Sequence, residues 1–444
     1  MGYQMKLRKV ICMSAVATCI AFSALAQGLP KATHPEDVGF SSERLKRLSN
    51  VFQTDVDKGT IPGAVVLIAR NGKVAYLEAF GFQDREKKVP MSTDAIFRIA
   101  SMSKPLTSVA VMILVEEGKI QLEDQVSVYL PEFKNLQVGV EKVNADTGKP
   151  ELSLEPVQRQ MTIQDLLRHT SGLTYGIFGK SLVDQAYLAA KVFDPSQTLA
   201  EFVSKLSTLP LAHQPGTTWN YSMSTDVLAR IVEVVSGVPF DQFIADRIVK
   251  PLRLSDTGFY VAEDKAGRVA QPQIDPATGK PQPMADVTKR PNWMSGGGGM
   301  VSTAADYVRF SEMLLNGGEL DGVRLLSPRT IAFMTSDQLP PDIAYSPAML
   351  QIFEPIAMAP TPRDGQGFGL GFAVRTQEGR NPRLGSPGEF YWLGLWGTEF
   401  WVDPSEKLIA VLMVQLPPAQ GSHYQSLIRN LVYQALIPPA VTVR

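Results

Sequence analysis

Arg98-Ile99-Ala100-Ser101-Met102-Ser103-Lys104-Pro105 leads into an apolar run, Leu106 to Glu117, in which Val109, Met112, Ile113 and Glu116 recur at helical spacing. Residues three apart share a helix face, so the Lys104 amine can reach the Ser101 hydroxyl. Pro105 is tolerated in a first turn, where backbone N–H groups have no partner. The start of a helix also sets free N–H groups and a positive dipole end beside Ser101. That setting favours a developing oxyanion and disfavours a charged ammonium nearby. Ser101 therefore reads as a nucleophile and Lys104 as its proton acceptor. The competing reading is a helix cap followed by an ordinary surface lysine.

Outward from this stretch, both ends of the chain carry strands and helices. Ser41-Ser42-Glu43 caps a helix with Leu45, Leu48, Val51, Phe52 and Val56 on one face, and Gly59 ends it. Ala64–Arg70 and Lys73–Phe80 flank Asn71-Gly72, a strong hairpin signal. Near the C-terminus, Gly371–Arg375, Thr398–Val402 and Lys407–Leu416 read as strands, and Tyr424–Leu436 reads as a closing amphipathic helix. Between these ends the chain is mainly helical. Thr162–Leu167 is a short capped helix running into Arg168-His169-Thr170-Ser171-Gly172, where His169 reads as holding a backbone corner rather than as a base. Helices are also expected over Ser224–Gly237, Phe240–Lys250 and Ala304–Asn316. Residues 134–160 read as polar, with Asn144-Ala145-Asp146-Thr147-Gly148 at a loop tip; 262–293, rich in Pro, Gln and Lys, as loop; and 336–366, rich in Pro and Met, as a long lid. Met294–Met300 holds four consecutive glycines without a phosphate-cradle pattern, which implies tight backbone where side chains would collide. The expected fold is α+β: one mixed sheet with terminal helices packed on it, plus a helical lobe, with the site in the cleft between them.

The 444 residues are 44% hydrophobic and 20% charged, an ordinary globular composition that can support two lobes with a large core. Formal net charge is −1 and no basic stripe occurs, which argues against a nucleic-acid partner. Residues 1–26 read as a secretory signal peptide: Lys6, Arg8 and Lys9, then the apolar run Val10–Leu25, then Ala24-Leu25-Ala26 before Gln27. The run is short for a membrane span. Cleavage near Ala26 would give a periplasmic or secreted protein with no stable membrane insertion. Cys12 and Cys19 both fall in that segment, so the mature chain would hold no disulfide, thiol nucleophile or Cys-zinc site. The four histidines are scattered and form no H-E-x-x-H pair, which leaves metals without support; no cofactor is indicated. No G-x-S-x-G elbow occurs, against an α/β-hydrolase.

Ser101-Met102-Ser103-Lys104 resembles the S-x-x-K motif of penicillin-recognising serine hydrolases. Phe97–Ala100, Leu167-Arg168-His169-Thr170-Ser171-Gly172-Leu173, and Gln214-Pro215-Gly216 through Asn220-Tyr221-Ser222 are similar to the class C β-lactamase-related branch. Glu389 to Pro404, with Trp392-Leu393-Gly394, resembles the W-x-G strand of family VIII carboxylesterases. The similarity spans roughly residues 36–437. It implies a β-lactamase/transpeptidase-like α+β fold, an antiparallel sheet flanked by helices plus a helical lobe: one catalytic domain over 27–444, with an α/β lobe of about 27–95 and 290–444 and a helical lobe of about 96–289. It places the second motif on Tyr221-Ser222-Met223. A serine hydroxyl needs a base within hydrogen-bond reach. Burial favours a neutral amine and nearby positive charge favours a phenolate. Lys104 and Tyr221 are therefore expected to share one proton with Ser101 and to titrate as a unit. The oxyanion hole implied by the match is the backbone N–H of Ser101 and that of Leu395. Trp392, Leu393, Gly394 and Met223 are the implied pocket residues.

Two departures point to a substrate class. The third motif carries no charge where penicillin-type enzymes offer a lysine to a carboxylate. Met223, at best a weak acceptor, stands where an asparagine would hold a substrate amide. Both favour neutral, apolar esters, of short acyl chains on this reading. The expected activity is that of a serine carboxylesterase on a small-molecule ester. The alternatives are a β-lactamase, a D-amino-acid peptidase or an acyltransferase with the same centre, on an ester or amide, and, from another class, a non-catalytic scaffold. The sequence does not set the oligomeric state.

Overall fold

The computed structural model describes residues 28–272, 274–275, 278–281 and 284–438; the expected signal segment lies outside them. Helix α1, Ser42–Asp57, is capped by the Ser41 side chain, which accepts from the Arg44 N–H. It buries Leu45, Leu48, Phe52 and Val56. Strands β1, Gly63–Arg70, and β2, Lys73–Asp84, form the expected hairpin. Its turn residues Asn71 and Gly72 both take positive φ, 53° and 73°, as a two-residue hairpin turn requires. A short β3, Val89–Pro90, pairs with β2.

The remaining sheet strands come more than 270 residues later: β4, Gln366–Phe368; β5, Ala373–Arg375; β6, Phe390–Leu393; β7, Glu399–Asp403; β8, Leu408–Val414. The sheet order is β4-β5-β6-β7-β8-β1-β2-β3, antiparallel throughout. β1 and β8 are apolar and almost entirely buried, which tells that both sheet faces are covered. Helix α1 and the C-terminal helix pack against each other, and Phe52 lies 5.5 Å from Phe80 of β2 and 5.8 Å from Tyr424. On the other side, Tyr307 meets Phe400 of β7 at 4.8 Å.

The other helices used below are α2, Ser103–Glu116; α3, Ser224–Ser236; α4, Ala304–Leu315; α5, Pro347–Phe353; and α6, Pro418–Tyr433. α2 is buried on every side from Ser103 to Leu114 and packs on α3, so it is a core helix between the two lobes. The expected loop tip at Asn144–Gly148 turns a hairpin whose strands the sequence reading did not identify, Gln137–Val143 paired with Pro150–Pro156. Each strand alternates, with Val138 and Val140 in one and Leu152 and Leu154 in the other, but the register sets Val138 opposite Glu155 and Leu152 opposite Glu141, so the pair shares no apolar face and is largely exposed. Residues 336–366, expected as a long lid, hold a short strand and the helix α5. Ala344–Tyr345 pairs in parallel with Thr218–Trp219, and α5 docks Phe353 against Trp219 at 5.5 Å. Among the described residues no helix is long and apolar enough to cross a membrane.

One buried acid gives a pH prediction. Asp306, on the first turn of α4, accepts from the Asp256 N–H at 2.7 Å and the Thr257 hydroxyl at 2.9 Å, while its other oxygen is buried without a partner. Burial pushes its carboxyl up to about 6. The folded state therefore holds a proton that the unfolded state loses first, and stability falls as pH rises from about 4 through 6. Asp306→Asn keeps an acceptor for both donors and removes the charge. Its thermal midpoint should gain on the parent between pH 4 and 6 and hold that gain above about 7. The gain should be about 1–2 kcal/mol, under a ceiling of about 3 set by the displacement of the carboxyl. A gap independent of pH would refute this.

Candidate active site

The chain turns sharply before the nucleophile. Ala100 has φ of 43°, a left-handed conformation that costs a non-glycine residue about 1–3 kcal/mol. A 3-10 turn, Ala100–Met102, then feeds α2. The strained turn is held from outside. Ile99 N–H donates to the Met300 carbonyl, Met300 N–H to the Ser103 hydroxyl, and the Tyr307 hydroxyl to the Met102 carbonyl at 2.8 Å.

Lys104, 1% exposed, extends its amine to the Ser101 hydroxyl at 3.2 Å and to the Gly297 carbonyl at 2.6 Å. The i, i+3 geometry expected from sequence is therefore formed. Gly297 belongs to the glycine run, and its tightness is real. A side chain at Gly296 would come within 2.8 Å of Ala229, and one at Gly297 would run into the Asp226 carboxyl. Gly298 is looser, its nearest neighbour being Ala100 at 3.8 Å.

Tyr221 is 5% exposed, and the Lys104 amine sits 4.6 Å from the centre of its ring. The expectation of a direct proton link needs amending. The Tyr221 hydroxyl accepts from Trp392 Nε1 at 3.3 Å. No hydrogen bond joins it to Ser101 or Lys104 here. Its ring is caged by Tyr175, Phe353, His169 and Trp392 at centroid distances of 4.8–5.6 Å. Trp392, expected as a pocket wall, is thus also the donor that orients the phenol. Tyr175 escaped the sequence reading. Burial, with Tyr221 and Asp226 adding to it, raises its phenol well above the ordinary range, so it serves as a neutral hydroxyl. His169 holds a corner, as expected: its φ is 59°, it is buried, and its Nδ1 faces the Ser222 hydroxyl at 3.4 Å. Burial, reinforced by Lys104, keeps its imidazole neutral. Arg168 is occupied by Asp165 and the Gln338 carbonyl.

Asp226 is the other residue that sequence reasoning missed. It lies on the first turn of α3, five residues after Tyr221, and accepts from the Ser295 hydroxyl at 2.6 Å and the Gly297 N–H at 3.3 Å. Burial pushes its carboxyl up, against the pull of Ser295 and Lys104. One residue, Gly297, thus connects this carboxyl to the amine: its N–H faces Asp226 and its carbonyl holds Lys104.

The expected oxyanion strand is β6. Leu393 pairs with Glu399 in unbroken register, so the leucine does not distort it; its side chain borders the cavity. Beyond β6, a side chain at Gly394 would run into the Ile99 carbonyl and the Thr398 hydroxyl. Only glycine lets this turn lie against the backbone two residues before Ser101. The Leu395 N–H has no hydrogen-bond acceptor among the described residues, so it is free to serve a substrate. A cavity of about 410 Å³ opens over Ser101, with Met223, Trp392, Leu393, Gly394 and Leu395 at its edge. Phe178, Phe193, Trp293, Ile352 and Phe353 make the rest largely apolar, and among the described residues no Lys, Arg or His side chain lines it. Among the described residues no cluster of His, Cys, Asp or Glu is placed to hold a metal ion.

Comparison with known proteins gives the family. Protein Rv1367c of Mycobacterium tuberculosis is 36% identical over 369 residues, covering 82% of this chain and 88% of the relative. Esterase EstB of Burkholderia gladioli is 30% identical over 392 residues, covering 83% and 89%. The solved structure of EstCE1, described as a hydrolase with promiscuous acyltransferase activity, superposes with a TM-score of 0.73 at 30% identity, covering 88% of this chain and 99% of that one. The Beta-lactamase family profile matches residues 48–430, and the chain belongs to that family of serine hydrolases, with its β-lactamase/transpeptidase-like α+β fold.

Proposed function

We propose that this chain is a carboxylesterase acting on small, neutral, apolar esters through an acyl-Ser101 intermediate. The observation that carries the reading is the cavity itself: Ser101 with its lysine at the base, aromatic and aliphatic walls, and, among the described residues, no Lys, Arg or His on those walls to receive a substrate carboxylate. In the first step the Ser101 oxygen bonds to the ester carbonyl carbon. Its proton passes to Lys104, with Tyr221 beside it. The carbonyl electron pair collects on oxygen opposite the N–H groups of Ser101 and Leu395. Collapse expels the alcohol with that proton, and water then releases the acid. Relationship to an esterase supports the same reading. The basic-then-apolar segment over residues 1–26 supports export as part of this proposal.

A panel of p-nitrophenyl esters against nitrocefin on the purified protein tests it. The expected result is ester turnover at a kcat/KM exceeding that for nitrocefin by roughly a hundredfold or more, the scale of a missing charged recognition contact. Nitrocefin turnover above ester turnover would overturn it. A second reading, acyl transfer to an acceptor alcohol, is favoured by the relationship to EstCE1. It would show as an ester product formed only when that alcohol is present.

A further inference from the structure

The turn from Gly394 to Thr398 joins β6 to β7. Its internal bonds are few: Gly394 N–H to the Thr398 carbonyl at 2.8 Å and Gly397 N–H to the Gly394 carbonyl at 3.1 Å. One side chain from outside grips both of those carbonyls. Gln425, on α6 and 4% exposed, donates from Nε2 to Gly394 O at 3.2 Å and to Thr398 O at 3.0 Å. Both neighbours are acceptors, so only the NH₂ end of the amide can face them. Gln425 is itself fixed. Its backbone carbonyl accepts from Arg383 Nη2 at 2.6 Å, and the same nitrogen reaches Glu399 of β7 at 2.7 Å. Gln425 also borders the cavity over Ser101. The clamp therefore spans the two ends of the turn that carries the unpaired Leu395 N–H.

We propose that Gln425 is a positioning residue of the oxyanion hole, holding the 394–398 turn so that the Leu395 N–H meets the substrate oxygen as Ser101 attacks. The inference rests on the acyl-Ser101 reading above. An oxyanion donor contributes only when aimed at the place where charge develops, so loosening its turn weakens the transition state more than the bound substrate.

Two variants, with p-nitrophenyl butyrate as probe, test it. Gln425→Leu removes both donors at similar volume. Its kcat should fall roughly 10- to 100-fold, up to the loss of one whole donor, with KM changed by less than about twofold. Gln425→Glu turns an ionised carboxylate toward two carbonyl oxygens, while its protonated form can donate to one of them. Relative to the unaltered protein, its kcat should therefore climb as pH falls from 8 toward 5. The active fraction in each preparation is counted by fluorophosphonate labelling, so that partial unfolding cannot pass for slow chemistry. An unchanged kcat per labelled site in Gln425→Leu would overturn the inference alone. So would a Gln425→Glu profile parallel to that of the unaltered protein. No ester turnover by the unaltered protein would overturn the esterase reading and this inference together.

Discussion

Ser101→Ala should lower p-nitrophenyl ester hydrolysis by at least about 10⁴-fold while leaving the thermal midpoint within a degree or two. Removing the group that forms the covalent intermediate leaves only binding and oxyanion stabilisation, so most of the rate goes with it. The fold should survive because the lost hydroxyl makes one side-chain hydrogen bond, from Lys104 at 3.2 Å, and the amine keeps its shorter bond to the Gly297 carbonyl. The strained Ala100 turn is held by Met300, Ser103 and Tyr307, none of which the substitution touches. Fluorophosphonate labelling should vanish in parallel. Retained turnover in the variant, with the label found elsewhere, would remove the basis for every role assigned around Ser101. A fold scaffold without catalysis predicts the opposite pattern: no label on the unaltered protein either.

The parts of this molecule that were readable from sequence are those fixed by neighbours in the chain. Asn71-Gly72 gave away its hairpin because only a left-handed pair closes so short a turn, and both residues are left-handed. Ser101 and Lys104 declared themselves because one helical turn brings i and i+3 together. Tyr221, by contrast, had no local mark; resemblance alone placed it, and the structure then set its ring over Lys104. Asp226, Tyr175 and Gln425 were invisible for the same reason. An aspartate in a first helical turn looks like dipole complementation, and nothing in the chain says that Gly297, 71 residues later, will bind its carboxyl. The glycine run is the intermediate case. Its crowding was inferred, but not which side chains do the crowding. The hairpin at 137–156 was missed because each strand offers only two alternating apolar residues, Val138 and Val140 against Leu152 and Leu154, and the register turns the two pairs to opposite faces, so no common apolar face marks them as partners.

Arg429→Met should destabilise the fold by about 3–5 kcal/mol, the range for breaking a buried ion pair from one side. Arg429, on α6, is 0% exposed and donates to both oxygens of Glu389 at 2.9 and 3.0 Å and to Glu399 at 3.2 Å. Arg375 shares Glu389 and Arg383 shares Glu399, and all five side chains are 5% exposed or less. Burial works against the Arg429 charge, and the two glutamates more than offset it, so the guanidinium is held more firmly protonated than usual. Its plane also lies 4.5 Å from the Tyr391 ring and 4.8 Å from Trp401. Methionine fills the space between those rings but leaves two buried carboxylates with one cation each. Arg429→Lys should recover little, because an ammonium cannot bond both glutamates in a plane while stacking on the rings. The control is Arg363→Met, whose pair with Glu354 is 68% and 37% exposed; an exposed pair contributes about 0–1 kcal/mol. Denaturant unfolding separates the two, and added salt should shrink only the exposed pair's effect. Glu399 and Gln425 are both tied to Arg383, so the Arg429 variant should also slow ester turnover per labelled site in whatever fraction stays folded. Arg363→Met should not. A variant at 429 that unfolds at the parent's denaturant midpoint would show that the network is bystander charge.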